Sequence, residues 1–122
     1  MTFESMFGQQ ASNQEKLLSS GMYDDFSSID KDSVLPVDDP KLCSYHVQQL
    51  VSEIGEVLEA DKRWKNFRNE KCDSANKKDE LADCFIVWMN MCLYSGFDSS
   101  DMAEAIEKKL KVVSDRIEST CK

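Results

Sequence analysis

The chain has 122 residues, 41% of them hydrophobic, and a formal net charge of −8. That length builds one domain with a modest core that gains from self-association, and that hydrophobic fraction excludes a disordered chain. The acidic balance argues against general nucleic-acid binding, which needs a basic footprint, and no apolar run is long enough to predict a membrane span.

The N-terminus Met1-Thr-Phe-Glu-Ser-Met6 has no basic region followed by an apolar one, so no signal peptide is expected. The five cysteines, Cys43, Cys72, Cys84, Cys92 and Cys121, show no C-x-x-C spacing. Cys84 and Cys92 fall in an apolar run and read as reduced core residues, which points to the cytoplasm.

In chain order, Phe3, Met6, Phe7, Leu17 and Leu18 recur roughly at helical spacing and predict a first amphipathic helix over residues 3 to 18. Gly21 to Pro40 reads as a long connection, rich in turn and breaker residues such as Asp24-Asp25, Pro36 and Asp38-Asp39-Pro40. A second helix is expected from Pro40, which suits a first turn after an Asp cap, through Leu42, Tyr45, Leu50, Ile54, Val57 and Leu58 to about Trp64. Residues 66 to 76 read as a connection. A third helix is expected over about Lys77 to Ser95, stopped by Gly96, and a fourth from the Asp98-Ser99-Ser100 cap to about Ile117. With no β-alternation, the architecture is all-α, a four-to-five-helix bundle. It forms one domain over 1–122, with an N-terminal helix and connection over 1–40 and a helical core over 41–118.

Two carboxylate pairs stand out, Glu53-x-x-Glu56 and Glu80-x-x-Asp83. Residues three apart share a helical face, so each pair aims two carboxylates in one direction. The second opens the run from Leu81 to Tyr94, which is apolar except for Asp83 and Asn90. Ionised carboxylates in such surroundings need a positive partner. On the second helix His46, Gln49, Glu53 and Glu56 form one polar stripe; on the third, Glu80, Asp83 and Asn90 form another, with Val87 between. If the stripes face each other, four carboxylates converge, and a hard divalent cation such as Mg²⁺ with oxygen ligands satisfies them. The spacing by itself is common. Asp98-x-x-Asp101 and Glu104-x-x-Glu107 share it and read as a helix start and a solvated surface.

Between the pairs, residues 62 to 78 hold seven basic and two acidic side chains, a local +5 that leaves −13 on the rest. Two readings of Lys62-Arg63-Trp64-Lys65-Asn66-Phe67-Arg68 stand side by side: a helix end favoured by cations, or phosphate-neutralising Lys and Arg with Trp64 or Phe67 stacking on a base. His46, the single histidine, reads as structural.

The stretch Ser52-Glu-Ile-Gly-Glu-Val-Leu-Glu59, followed 23 residues after Glu56 by Glu80-Leu-Ala-Asp83, resembles the E-x-x-E and E-x-x-D signature of the all-α nucleoside-triphosphate pyrophosphohydrolases. This is the MazG-like superfamily, with its dimeric dUTPases, phage dCTPase-like enzymes and phosphoribosyl-ATP pyrophosphohydrolases. Arg63-Trp64-Lys65 is similar to the tryptophan-lysine segment of the dUTPase-like branch, and Lys109 and Arg116 resemble basic residues of the family's C-terminal motif. The resemblance spans about residues 42 to 117. The chain departs from it at Ser52, where many members carry glutamate, and at Val113, where asparagine is common.

The resemblance implies hydrolysis of a (deoxy)nucleoside triphosphate to the monophosphate and pyrophosphate, with Mg²⁺ or Mn²⁺ held by Glu53, Glu56, Glu80 and Asp83. It also implies that Glu53 or Glu56 activates water, and that Lys65, Arg68, Lys109 and Arg116 clamp phosphates. Gln10, Asn13, Gln14, Trp64 and Asn90 are the candidate base and sugar contacts, in a homodimer or homotetramer. The implied role is house-cleaning of a pyrimidine deoxynucleotide pool, with a phage-type enzyme acting on a purine deoxynucleotide close behind. Two alternatives remain, a non-catalytic helical module binding a nucleotide or protein partner and a phosphoribosyl-ATP pyrophosphohydrolase-like enzyme.

Overall fold

The computed structural model describes residues 1–26, 28–65 and 69–121. It is all-helical: α1 spans Phe3–Ser19, α2 Pro40–Asp61, α3 Ser74–Leu93 and α4 Ser99–Thr120. Among the described residues no strand forms, only an isolated antiparallel bridge between Asp38 and Ser95. Among the described residues no helix is long and apolar enough to cross a membrane.

Each helix starts where a side-chain oxygen can take an orphan amide. Thr2 and Ser5 form a reciprocal capping box at α1, and Asp98 and Asp101 do so at α4. Asp39 caps α2 by accepting from the Leu42 amide at 2.9 Å, with Pro40 in the first turn. The same buried carboxylate accepts the Ser28 hydroxyl at 2.6 Å.

Helix α2 ends before the expected Trp64, because Lys62 turns left-handed at φ 59° and its amide closes on the Leu58 carbonyl. Helix α3 begins at Ser74, earlier than expected, because Asp73 accepts from the Asn76 amide at 3.1 Å. The Ser and Asn that read as loop are therefore a capped first turn.

Helices α2 and α3 form an antiparallel hairpin, and α1 packs across its open end, where α2 begins and α3 ends. The core lies there: Phe7 and Leu18 from α1 meet Leu42 from α2 and Met89, Cys92, Leu93 and Tyr94 from the end of α3. Trp88 is half-buried against it, and the Phe7 ring lies edge-on to the indole at 6.0 Å. The connection between α1 and α2 is tied down. Val37 and Asp39 amides donate to the Leu93 and Tyr94 carbonyls, and the Leu35 amide donates to Glu15. Gly96, at φ 87°, lets the chain turn beside Asp38, where a side chain would be strained. Helix α4 touches α1 but buries none of its own residues.

Candidate functional site: a carboxylate cleft between two helices

The site is built by the register of α2 on α3. At one end of the hairpin the Ala60 carbonyl accepts the Asp73 amide, and Lys77 reaches Asp61 at 2.5 Å. At the other, Cys43 lies 3.1 Å from the Ser95 hydroxyl, and the Asn90 amide nitrogen lies 3.5 Å from His46 Nδ1. Counting from that His46–Asn90 contact along antiparallel helices puts Gln49 opposite Val87, Glu53 opposite Asp83 and Glu56 opposite Glu80. The two polar stripes do face each other.

Carboxylate oxygens of Glu53, Glu80 and Asp83 lie within 4.8 Å of one another. Glu56 is exposed and outside that trio, yet its charge bears on Glu80. The Glu80 carboxyl is raised above its ordinary value, first by desolvation, then by Asp83, Glu56, Glu53 and Asp79. All four of those charges are negative. Nearby Cys84 is raised for the same reasons, desolvation first and then Glu53, Asp83 and Glu80.

The connected end of the hairpin is cationic. Asp61 accepts a bidentate pair from Arg63 and a bond from Lys77, which hold its carboxyl well below the usual carboxylate range. Lys65 pairs with Glu59 at 3.8 Å and sits 5.8 Å from the Trp64 ring centre. Trp64 is 54% exposed, with its indole N–H donated to the Leu58 carbonyl at 2.8 Å, so its ring is open to a ligand. Arg68, expected among the phosphate clamps, lies outside the described residues.

Lys109 and Arg116 are on α4, and among the described residues no ion pair joins either to the cleft. Helix α3 turns Phe85 and Trp88 toward α4, lining an apolar groove of about 630 Å³ with Phe3, Ala103, Ile106 and Leu110. At 100° per residue that face is roughly 150° round α3 from Glu80 and Asp83. The chain's own α4 does not bring its cations to its own carboxylates.

Four of the five expected base contacts, Gln10, Asn13, Gln14 and Asn90, form an internal network at the open end of the hairpin, while Trp64 lies at the connected end. Gln10 donates to the Asn90 amide oxygen at 2.8 Å, and Asn13 donates to Gln10 at 3.2 Å. Gln14 accepts the hydroxyls of Tyr23 at 2.8 Å and Tyr94 at 3.1 Å. Gln10, Gln14 and Asn90 are buried, while Asn13 is exposed. Burial holds the Tyr23 hydroxyl up at about 12.

Sequence reasoning treated His46 as structural and passed over its link to this network. It is 3% exposed and stacks on Tyr94 with ring centres 5.2 Å apart. Since Gln10 donates to the Asn90 oxygen, the Asn90 nitrogen is left to donate to Nδ1. The proton is then on Nε2, which has no partner among the described residues. The signal was in the sequence: His46 and Asn90 sit two turns from Glu53 and Asp83 on the same two stripes.

Burial lowers the His46 pKa from 6.5 to about 4. The unfolded chain therefore binds the proton first, and stability that is intact above pH 6.5 falls as pH drops toward 4, by about 3 kcal/mol in total. Urea melts of the wild type and His46→Gln between pH 7.5 and 4 check this. The variant should lose the steepest part of the acid slope, and equal slopes would refute the assignment.

Comparison of the chain with protein-family models, with curated proteins and with solved structures finds no match.

Proposed function

We propose that this protein is a divalent-metal-dependent hydrolase that splits a (deoxy)nucleoside triphosphate into the monophosphate and pyrophosphate, with pyrimidine deoxynucleotides favoured over purine ones. The observation that carries the reading is the meeting of Glu53, Glu80 and Asp83 within 4.8 Å, where Asp83, Glu56, Glu53 and Asp79 all raise the Glu80 carboxyl. The resemblance of the same residues to the E-x-x-E and E-x-x-D signature assigns the reaction.

The donor set suits the metal. Mg²⁺ takes hard oxygen ligands at about 2.1 Å, so opposite ligand oxygens lie about 4 Å apart, close to the spread of the three carboxylates. When bound, Mg²⁺ supplies positive charge to the triphosphate and acidifies a coordinated water. The chain's residues divide the remaining work. Glu53, Glu80 and Asp83 hold the cation, and Glu56, outside the trio, is the carboxylate left to take the proton from the attacking water.

The order of groups along the hairpin fits a nucleotide laid lengthwise. The buried Gln10–Asn90–His46 group lies at the open end, the carboxylates two turns or roughly 10 Å further, and Lys62, Arg63 and Lys65 at the connected end. The α-phosphate and the terminal phosphates follow one another from the carboxylates toward those cations. Lys65 offsets charge on the leaving pyrophosphate.

Thermal melting with added MgCl₂ tests the metal site. Cation binding to the folded state alone should raise Tm by about 5 °C near saturation, with no such rise in matched KCl. The rise should vanish in Asp83→Asn. An unchanged Tm would refute the metal assignment.

A further inference from the structure

We propose that Gln49 and Val87 form the sugar site of the cleft and select deoxyribose over ribose. Gln49 bonds the 3′-hydroxyl, and Val87 packs on the C2′ methylene. The placing rests on the hydrolase reading above, which sets the α-phosphate at Glu53, Glu80 and Asp83.

The hairpin otherwise matches polar side chains with polar ones: His46 with Asn90, Glu53 with Asp83, and Glu56 with Glu80. One layer breaks that pattern, where the amide of Gln49 stands opposite the isopropyl group of Val87. Both residues are half-buried. Val87 offers no donor or acceptor, and among the described residues no hydrogen bond holds the Gln49 amide. A half-buried amide without a partner loses part of its hydration for no return, so a ligand that bonds it is favoured. Unlike the sealed Nε2 of His46, the Gln49 amide stays open to solvent, where a ligand can reach it.

Covalent order decides which part of a nucleotide lies there. The terminal phosphates run toward Lys62, Arg63 and Lys65, so the nucleoside, on the other side of the α-phosphate, runs toward the open end. Gln49 lies four residues before Glu53, and Val87 four residues after Asp83, one turn or about 6 Å in that direction. The sugar, joined to the α-phosphate through C5′, falls in this layer. The next layer, His46 and Asn90, is buried and hydrogen-bonded within the chain, so the sugar is the last part that the hairpin grips. A wall of one amide and one isopropyl group matches deoxyribose, which carries a hydroxyl at C3′ and only hydrogens at C2′. Ribose would press its 2′-hydroxyl on hydrocarbon with no partner. An apolar site rejects such a hydroxyl by a factor of about a hundred at most, which sets the scale.

Turnover of dCTP, CTP and 2′,3′-dideoxy-CTP with Mg²⁺ by the wild type, Val87→Thr and Gln49→Leu tests the site. The wild type should favour dCTP over CTP by about tenfold to a hundredfold in kcat/KM. Val87→Thr keeps the shape and gives the 2′-hydroxyl a partner, so that ratio should fall to about threefold or less. If this variant does not fold, Val87→Ala reads the same ratio by leaving room for water beside the 2′-hydroxyl. Removing the 3′-hydroxyl should cost the wild type about tenfold and Gln49→Leu almost nothing, a coupling that a merely structural glutamine would not show. Equal turnover of dCTP and CTP by the wild type, or a ratio that neither Val87 variant moves, would overturn the sugar site and leave the hydrolase reading standing. Calorimetry with the α,β-imido analogues of dCTP and CTP separates the converse case. Tighter binding of the deoxy analogue without any turnover would uphold the sugar site against the hydrolase reading, and binding of neither would overturn both.

Discussion

Asp83→Asn and Glu53→Gln should each cut pyrophosphate release by about a hundred- to a thousandfold, the scale of losing one electrostatic group of an active site, because each removes a charge that holds the cation. The same substitutions should leave the metal-free protein as stable as the wild type or more so. Asp83 is the largest charge acting on Glu80, and Glu53 adds to it, so neutralising either relieves that repulsion. Opposite signs on activity and apo stability separate a functional site from a structural one. Steady-state kinetics beside melts in EDTA give both readouts, and a variant that loses activity only because it unfolds would contradict the assignment.

Asn90→Ala should carry the largest stability cost of any single polar change, about 3 kcal/mol. Asn90 is 5% exposed and joins all three packed helices, accepting from Gln10 on α1 and meeting His46 on α2. Truncating it strands the Gln10 amide donor and the His46 Nδ1 acceptor in a site closed to water, and leaves a small cavity. Surface asparagines such as Asn76, whose side chain makes no comparable buried contact, should tolerate alanine within about 0.5 kcal/mol. Urea unfolding at pH 7.5 makes the comparison. Equal midpoints for the two variants would mean that the network does not hold the register.

Much of this architecture was legible from local chemistry. Pro40 after Asp39, and Asp98 followed by Asp101, announce helix starts through the amides their side chains take. The two polar stripes were legible because helical periodicity places His46 with Glu53, and Asp83 with Asn90. Their register was not, since it depends on side chains distant in sequence, Asn90 meeting His46 and Lys77 meeting Asp61. The end of α2 was hidden for a related reason. Lys62 in a left-handed conformation is a tertiary decision, favoured by Asp61 gathering Arg63 and Lys77.

The site divides along the same line. The carboxylate trio needs only two helices in register, and periodicity finds those. The roles proposed for Lys109 and Arg116 depend on where α4 lies, and its seam of Ile106, Leu110, Val113 and Ile117 is not buried within the chain. No single-chain signal fixes such a helix. His46 was passed over because a lone histidine on an apolar helix is usually core, and here it is both core and part of the polar line that leads to the carboxylates.

The most direct test of the cleft's proposed chemistry is product analysis of the purified protein with Mg²⁺ against the common ribo- and deoxynucleoside triphosphates and dUTP. Phosphorus NMR distinguishes the products. The account predicts monophosphate and pyrophosphate in equal amounts from at least one deoxynucleotide, a pyrimidine first, with Mn²⁺ able to substitute and Asp83→Asn inactive. No turnover across the whole panel, or release of orthophosphate with a diphosphate product, would contradict it.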